Sequence, residues 1–187
     1  MMEIEQILNK ISLLSKDSIR LIKSKINLIT LPKGSILFDT KRVETKVYFI
    51  KKGIARAYTF DKENEITFWF GQEGDFIISI RSYVENKPSY EIVELLENCE
   101  LYEIDTNDLY NLYNFNLEFS NWGRKLTEKD LMRTEEIFIS HKSKSATERY
   151  QKLLKDNPSL VNRVQLGYIA SYLGISQVTL SRIRAEI

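Results

Sequence analysis

The stretch Leu166-Gly167-Tyr168-Ile169-Ala170-Ser171-Tyr172-Leu173-Gly174-Ile175-Ser176-Gln177-Val178-Thr179-Leu180-Ser181-Arg182-Ile183-Arg184-Ala185-Glu186-Ile187 reads as two short helices joined by a tight turn. Ala170 is small, as a residue must be where two helices cross closely. Gly174, four residues on, falls where the chain leaves the first helix, a position that favours positive φ. Ser176 then stands as N-cap of the second helix, its hydroxyl placed to accept a backbone N–H that has no intrahelical partner. Ile169, Leu173, Ile175, Leu180 and Ile183 supply an apolar wedge between the helices. Gln177, Val178, Ser181, Arg182 and Ala185 remain as a small, polar outer stripe on the second helix. A helix that must enter a DNA major groove is built this way, and the expected motif is a helix-turn-helix. A helical hairpin that merely completed a core would have no use for Arg182-Ile183-Arg184.

The charge distribution points the same way. Residues 1–140 carry 19 Lys/Arg against 23 Asp/Glu, whereas residues 141–187 carry 8 against 3. The net charge of +1 therefore conceals a basic segment where phosphates would be met. A chain of 187 residues, 43% hydrophobic and 28% charged, holds one large or two small domains with real cores. No apolar run approaches the length of a membrane span, and the N-terminal segment lacks a signal-peptide core. A cytoplasmic location and no membrane partner are expected. One cysteine, Cys99, rules out an internal disulfide and any four-cysteine metal or iron–sulfur site. One histidine, His141, falls in an inter-helix hinge and reads as a surface residue. It leaves nothing from which to assemble a cupin-type metal centre or a Ser-His-Asp or Cys-His set, so no catalytic residue, metal or cofactor is expected and the chain is not read as an enzyme.

Upstream, residues 3–25 show apolar spacings of three and four, with Ser15 as an internal N-cap that makes two helices. From residue 26 the period changes to two. Leu31-Pro32-Lys33-Gly34 is a turn, and Ser35–Phe38, Val47–Ile50, Ile54–Phe60, Glu65–Phe70, Tyr90–Leu96 and Cys99–Ile104 follow as short strands. Asp61-Lys62-Glu63-Asn64 forms a polar hairpin loop, and Gly71-Gln72-Glu73-Gly74 turns the chain again. Short strands with Gly turns and no long intervening helix predict an antiparallel jelly roll. Asp105 or Thr106 caps a short helix, and a long helix follows from about Leu117 to Ser140. Phe115, Phe119, Trp122 and Leu126 form one apolar stripe on it. Leu131, Met132, Phe138 and Ile139 form a second, which calls for another surface, expected to be a second copy of the helix. Gly123 fits a place where two backbones approach closely. A hinge is placed at Ser140 to Ser145, before the capping-box helix at Ser145-Ala146-Thr147-Glu148, which ends at Asp156-Asn157-Pro158.

This order of elements, with Leu-Pro-Lys-Gly (31–34), Val-Tyr-Phe-Ile-Lys-Lys-Gly (47–53), Gly-Asp-Phe (74–76) and the Ile169–Arg184 run, resembles the Crp/Fnr family of bacterial transcription regulators. The resemblance implies an α+β fold with three parts. An N-terminal β-roll of the cyclic-nucleotide-binding type with flanking helices would span residues 1–115, a dimerisation helix 116–140, and a winged helix-turn-helix 141–187. The wing would come from the stretch around Leu160 to Val164. It also implies double-stranded DNA carrying an inverted repeat, a second copy of the chain and RNA polymerase as partners, with a small-molecule effector that is unidentified or lacking. Family members that bind a cyclic nucleotide carry Gly-Glu, small residues and then Arg-Ser, the Arg gripping the phosphate with its planar fork. Here the corresponding stretch is Gly74-Asp75-Phe76-Ile77-Ile78, then Asn86-Lys87-Pro88-Ser89. Pro88 falls at or beside the Arg position and brings neither charge nor N–H. Gly74, Asp75, Lys87 and Ser89 are the candidate ligand contacts. Control by a cyclic nucleotide is not expected; the alternative is a regulator using Lys87 or Arg81 for the phosphate.

On the recognition helix, Arg182 is the foremost candidate for a base contact, since Arg donates bidentately to guanine. Gln177 suits adenine, Ser181 either base, and Val178 a thymine methyl. Thr179, Arg184 and Ser171 are expected to meet phosphates and fix register.

Overall fold

Ser15 splits the N-terminal apolar repeat into α1 (Ile4–Asn9) and α2 (Lys16–Lys23), its hydroxyl accepting the backbone N–H of Ser18 at 3.3 Å. The computed structural model describes residues 2–187. Past α2 come β1 (Asn27–Leu31), β2 (Ile36–Phe38), β3 (Lys46–Lys52), β4 (Ala55–Asp61), β5 (Asn64–Gly71), β6 (Phe76–Ile77), β7 (Ile92–Leu95) and β8 (Cys99–Asp105), with a short helix, α3 (Ile80–Glu85), between β6 and β7. No apolar periodicity announces α3. Its N-cap is Ser79, whose hydroxyl accepts from Ser82 N, and it ends at Asn86 in the left-handed region.

The strands form two four-stranded sheets, ordered β1-β8-β3-β6 and β2-β7-β4-β5. β8 lies antiparallel between β1 and β3, with Ile29 opposite Leu101 and Val47 opposite Ile104. β7 and β8 follow one another across Glu97-Asn98 yet belong to different sheets, as a roll requires and a simple meander does not. The helices that follow are α4 (Thr106–Phe115), α5 (Leu117–Ser143), α6 (Ala146–Asp156), α7 (Pro158–Arg163), α8 (Leu166–Tyr172) and α9 (Gln177–Glu186).

The chain divides into two compact units. One runs up to Arg56 and includes Phe70–Asp130; the other combines Ala57–Trp69 with Leu131–Ile187. The core of the first gathers Ile4, Ile7, Leu8, Ile19, Ile22, Val47, Phe49, Tyr102, Ile104, Leu109, Leu112, Phe119, Trp122 and Leu126. The start of α5 is also tied to the N-terminal helices by polar contacts. Trp122 Nε1 donates to the Leu8 carbonyl at 2.9 Å, and Glu118 accepts from both the hydroxyl and the N–H of Ser15. Phe115, expected to begin the buried stripe, instead ends α4 and is 86% exposed. The break between α4 and α5 at Asn116 takes it out of phase with Phe119, Trp122 and Leu126. Gly123 also differs from expectation, because the ring of Tyr113 on α4 fills the space over it; a Cβ there would lie 2.8 Å from that ring.

In the second unit, Ser145 and Glu148 form the expected capping box of α6. Pro158 does not simply stop the chain. It occupies the first turn of a new helix, where its missing N–H costs nothing. The stretch around Leu160 to Val164, expected to form a wing, is therefore helix α7, with only Val164 extended at its end. Among the described residues, every strand ends by Asp105.

Candidate nucleic-acid interface

Helices α8 and α9 lie where the pattern of residues 166–187 predicts them. Ile169, Ala170, Leu173, Leu180 and Ile183 are buried, and Ile175 partly so. Gly174 has φ +67°, a left-handed turn that a Cβ would strain. The Ser176 hydroxyl accepts Thr179 N–H at 3.1 Å. These bonds and contacts hold α9 with one face inward. Its other face carries Gln177, Val178, Ser181, Arg182, Arg184 and Ala185, all exposed. The predicted base-reading residues thus share one solvent-facing surface. Thr179 is half-buried, and its hydroxyl lies 2.9 Å from that of Ser176 within the cap.

Ser171 is placed differently from its neighbours in the predicted set. Its Oγ donates to the Glu65 carbonyl at 2.8 Å and accepts the Thr67 N–H at 2.9 Å. The hydroxyl expected to meet a phosphate is thus engaged with the backbone of the β4–β5 hairpin, within the second unit.

Two side chains that sequence reasoning did not assign to the motif brace its turn. Arg149 on α6 donates through Nη2 to the Leu173 carbonyl at 2.8 Å and through Nη1 to the Lys144 carbonyl at 2.7 Å. It thereby satisfies the carbonyl end of α8 with a cation, where the helix dipole favours one. His141, near the end of α5, lies 3.8 Å from where a Gly174 Cβ would stand. Partial burial and the Arg149 charge hold its imidazole below the ordinary value of 6.5, and a hydrogen bond to the Tyr172 backbone opposes this only in part. Neither role has a local signature, because both depend on residues over twenty positions away. Behind the motif lies a cleft of about 130 Å³ whose walls include Arg133, Glu136, Lys152, Asp156 and Tyr172. Lys152 and Asp156 pair at 2.6 Å.

In the first unit, the candidate ligand residues do not converge. Gly74 and Asp75 form a turn, with Asp75 Oδ2 accepting Gln72 N–H at 2.8 Å and Gly74 N–H donating to the Ile50 carbonyl. Lys87 and Arg81 both face the carboxylate of Glu85, at 3.0 and 4.0 Å, on the surface. Ser89 is buried, its hydroxyl donating to the Glu91 carbonyl and accepting the Glu91 N–H. Around it, Ser79, Ser82, Glu44 and Glu91 are buried as well. Glu91 Oε2 has no hydrogen-bond partner, and burial pushes its carboxyl above the usual range. The buried cation of this unit, Arg56 on β4, is paired with Glu94 at 3.0 Å. Cys99 is buried too, its thiol pushed up to about 11 by desolvation. Among the described residues, no cluster of three His, Cys, Asp or Glu side chains is arranged to hold a metal ion, and no helix is long and apolar enough to cross a membrane.

An antiparallel roll flanked by helices, a long helix and a terminal helix-turn-helix together make the fold of the Crp/Fnr-type transcription regulators. Residues 28–116 match the cyclic nucleotide-binding domain family. Among solved structures, the chain is similar to the c-di-GMP-responsive global regulator CLP of Xanthomonas campestris, with a TM-score of 0.73 and 16% identity over 92% of this chain and 91% of that one. It is similar to a CooA variant of Carboxydothermus hydrogenoformans, with a TM-score of 0.70 and 18% identity over 99% and 84% of the respective chains. A protein of Eubacterium rectale assigned to the Crp/Fnr family of transcriptional regulators gives 0.72 and 18% over 91% and 82%. At these identities the likeness is one of fold. No curated protein matches the sequence.

Proposed function

We propose that this chain is a cytoplasmic, DNA-binding transcription regulator that reads an inverted-repeat site as a homodimer. One observation carries the reading: the exposed face of α9 bears Gln177, Val178, Ser181, Arg182 and Arg184, while its opposite face is buried and its N-terminus capped. A helix so anchored presents base-reading side chains from a fixed N-terminal end. The excess of Lys/Arg over Asp/Glu in residues 141–187 supplies attraction for the phosphates. Arg182 is assigned to guanine, Gln177 to adenine, Ser181 to either base and Val178 to a thymine methyl; Thr179, Arg184 and Ser171 are assigned to phosphates. Dimerisation is assigned to the exposed apolar side chains Leu131, Met132, Phe138 and Ile139 of α5, and RNA polymerase is a further expected partner.

Selection of bound duplexes from a random pool tests this reading. A two-fold symmetric enriched motif is the expected result, and a pool with no enrichment overturns it. Arg182→Ala should weaken binding to the enriched site by about 1–3 kcal/mol and relax preference at one base step. Equal losses on enriched and scrambled duplexes would instead make Arg182 a phosphate contact.

We infer that the regulator is not controlled by a cyclic nucleotide. The buried Glu91 carboxylate and the pairing of Lys87 and Arg81 with Glu85 disfavour a bound cyclic phosphate. The family match over 28–116 favours the second reading, a regulator that engages the phosphate through Lys87 or Arg81. Calorimetric titration with cyclic AMP and cyclic GMP separates the two, with heat of binding deciding for the second.

A further inference from the structure

The two hydrogen bonds of Ser171 have a functional consequence. β5 is the last strand of the order β2-β7-β4-β5, and an edge strand presents backbone N–H and C=O groups that no neighbouring strand takes up. The N–H of Thr67 and the C=O of Glu65 are met by one hydroxyl, on a residue more than a hundred positions away. A serine hydroxyl has a single hydrogen, so while Ser171 donates to Glu65 it cannot donate to anything else.

Ser171 belongs to α8, the first helix of the motif, and in a helix-turn-helix that helix crosses the DNA backbone while the second enters the groove. The hairpin therefore meets the helix that a DNA strand would have to approach. Its tip, residues 61–65, carries Asp61 at the end of β4, Glu63 in the turn and Glu65 on β5 against a single cation, Lys62. Like charge opposes the approach of a phosphate strand to the same helix. The carbonyl of Glu65 stands as acceptor to the very hydroxyl assigned to a phosphate oxygen, and both acceptors need its one proton.

We propose that the β4–β5 hairpin is an autoinhibitory latch, held by the Ser171 hydroxyl on the backbone of Glu65 and Thr67, that must let go of α8 before the DNA backbone can take its place. The latch rests on the DNA-reading proposal and adds to it a closed state in which hairpin and DNA compete for one side chain. Any signal that moves the hairpin then shifts the population able to bind, and affinity follows the fraction that is open.

Amide exchange at Thr67, followed by NMR on the full chain, reads the latch directly. Ser171→Ala sets the open level, expected at least about tenfold faster than wild type. Adding the enriched duplex, or a mixed-sequence duplex at low salt if no motif is enriched, should raise exchange in the wild-type chain to that level. Protection of Thr67 that persists in the duplex-bound state overturns the latch. A second variant acts from the hairpin side and leaves Ser171 intact. Thr67→Pro removes the N–H that β5 donates at the sheet edge, a backbone position where proline is tolerated in a sheet. It should bind duplex about three- to tenfold more tightly than wild type, and equal or weaker binding counts against the proposal. Duplex binding by Thr67→Pro alone would support the latch in its strongest form. If neither chain binds any duplex, the DNA-reading proposal fails and the latch with it; if both bind equally with Thr67 still protected, only the latch fails.

Discussion

The two halves of α5 hold similar numbers of large apolar side chains and meet opposite fates. Up to Asp130 the helix belongs to the first compact unit, and Phe119, Trp122 and Leu126 are buried there. From Leu131 it belongs to the second, and Leu131, Met132, Phe138 and Ile139 are each about 60% exposed. A helix pattern states how much apolar surface has to be covered but not what covers it. In the first half the cover is the chain's own α1, α2 and roll. In the second half these side chains stay exposed, and burying them against a second copy would recover roughly 25 cal/mol for each Å² removed from water.

The largest expected effect lies in the buried half. Trp122→Ala removes both a filled volume and the hydrogen bond to Leu8, and should cost about 3–5 kcal/mol of stability, read from urea denaturation. A loss under about 1 kcal/mol would mean that the start of α5 is not anchored as described. Phe138→Lys, in the exposed half, should leave the fold intact while weakening self-association by about 2 kcal/mol or more. Sedimentation velocity against protein concentration checks it, and an unchanged dimer would move the interface elsewhere. Gly123→Ala sharpens the boundary between the halves. Displacing the Tyr113 ring should destabilise the chain by about 1–2 kcal/mol without altering self-association; a change in oligomeric state instead would restore the view that two copies meet at this glycine.

The smallest effect concerns His141, beyond the exposed stripe. Its imidazole titrates below the ordinary 6.5 in the folded chain, so the unfolded chain takes up the proton first. The His141 contribution to stability is therefore complete above pH 6.5 and is lost as pH falls through the folded-state value. Replacing it by Gln should flatten the pH dependence of the melting temperature on the acid side of 6.5. A wild-type chain equally stable on both sides of that range would speak against the packing of His141 near Gly174.

Several elements are legible in the sequence itself. Ser15, Gly174, Ser176 and the Ser145–Glu148 box act within one turn of their own positions, so their neighbours in sequence are their partners in space. The short strands were legible because alternation and Gly turns are local too. Pro158 was half legible: it does end α6, but whether a proline stops a chain or starts the next helix depends on what packs after it, and here Leu160 and Val164 are buried. The expected wing failed for that reason. Phe115 was misplaced because a break at Asn116 is invisible to a pattern that assumes one continuous helix.

Sequence alone determined the helix-turn-helix, the roll and the outward stripe of α9, since caps, turns and amphipathic periods are set by side chains a few residues apart. Tertiary structure alone decided that Arg149 and His141 brace the turn, that Glu91 rather than an arginine lies buried beside Ser89, and that Ser171 holds a strand edge. Arg149, His141 and Ser171 each meet groups distant along the chain, and the burial of Glu91 depends on Ser79 and Glu44 from other segments, so no local preference of either partner encodes the meeting.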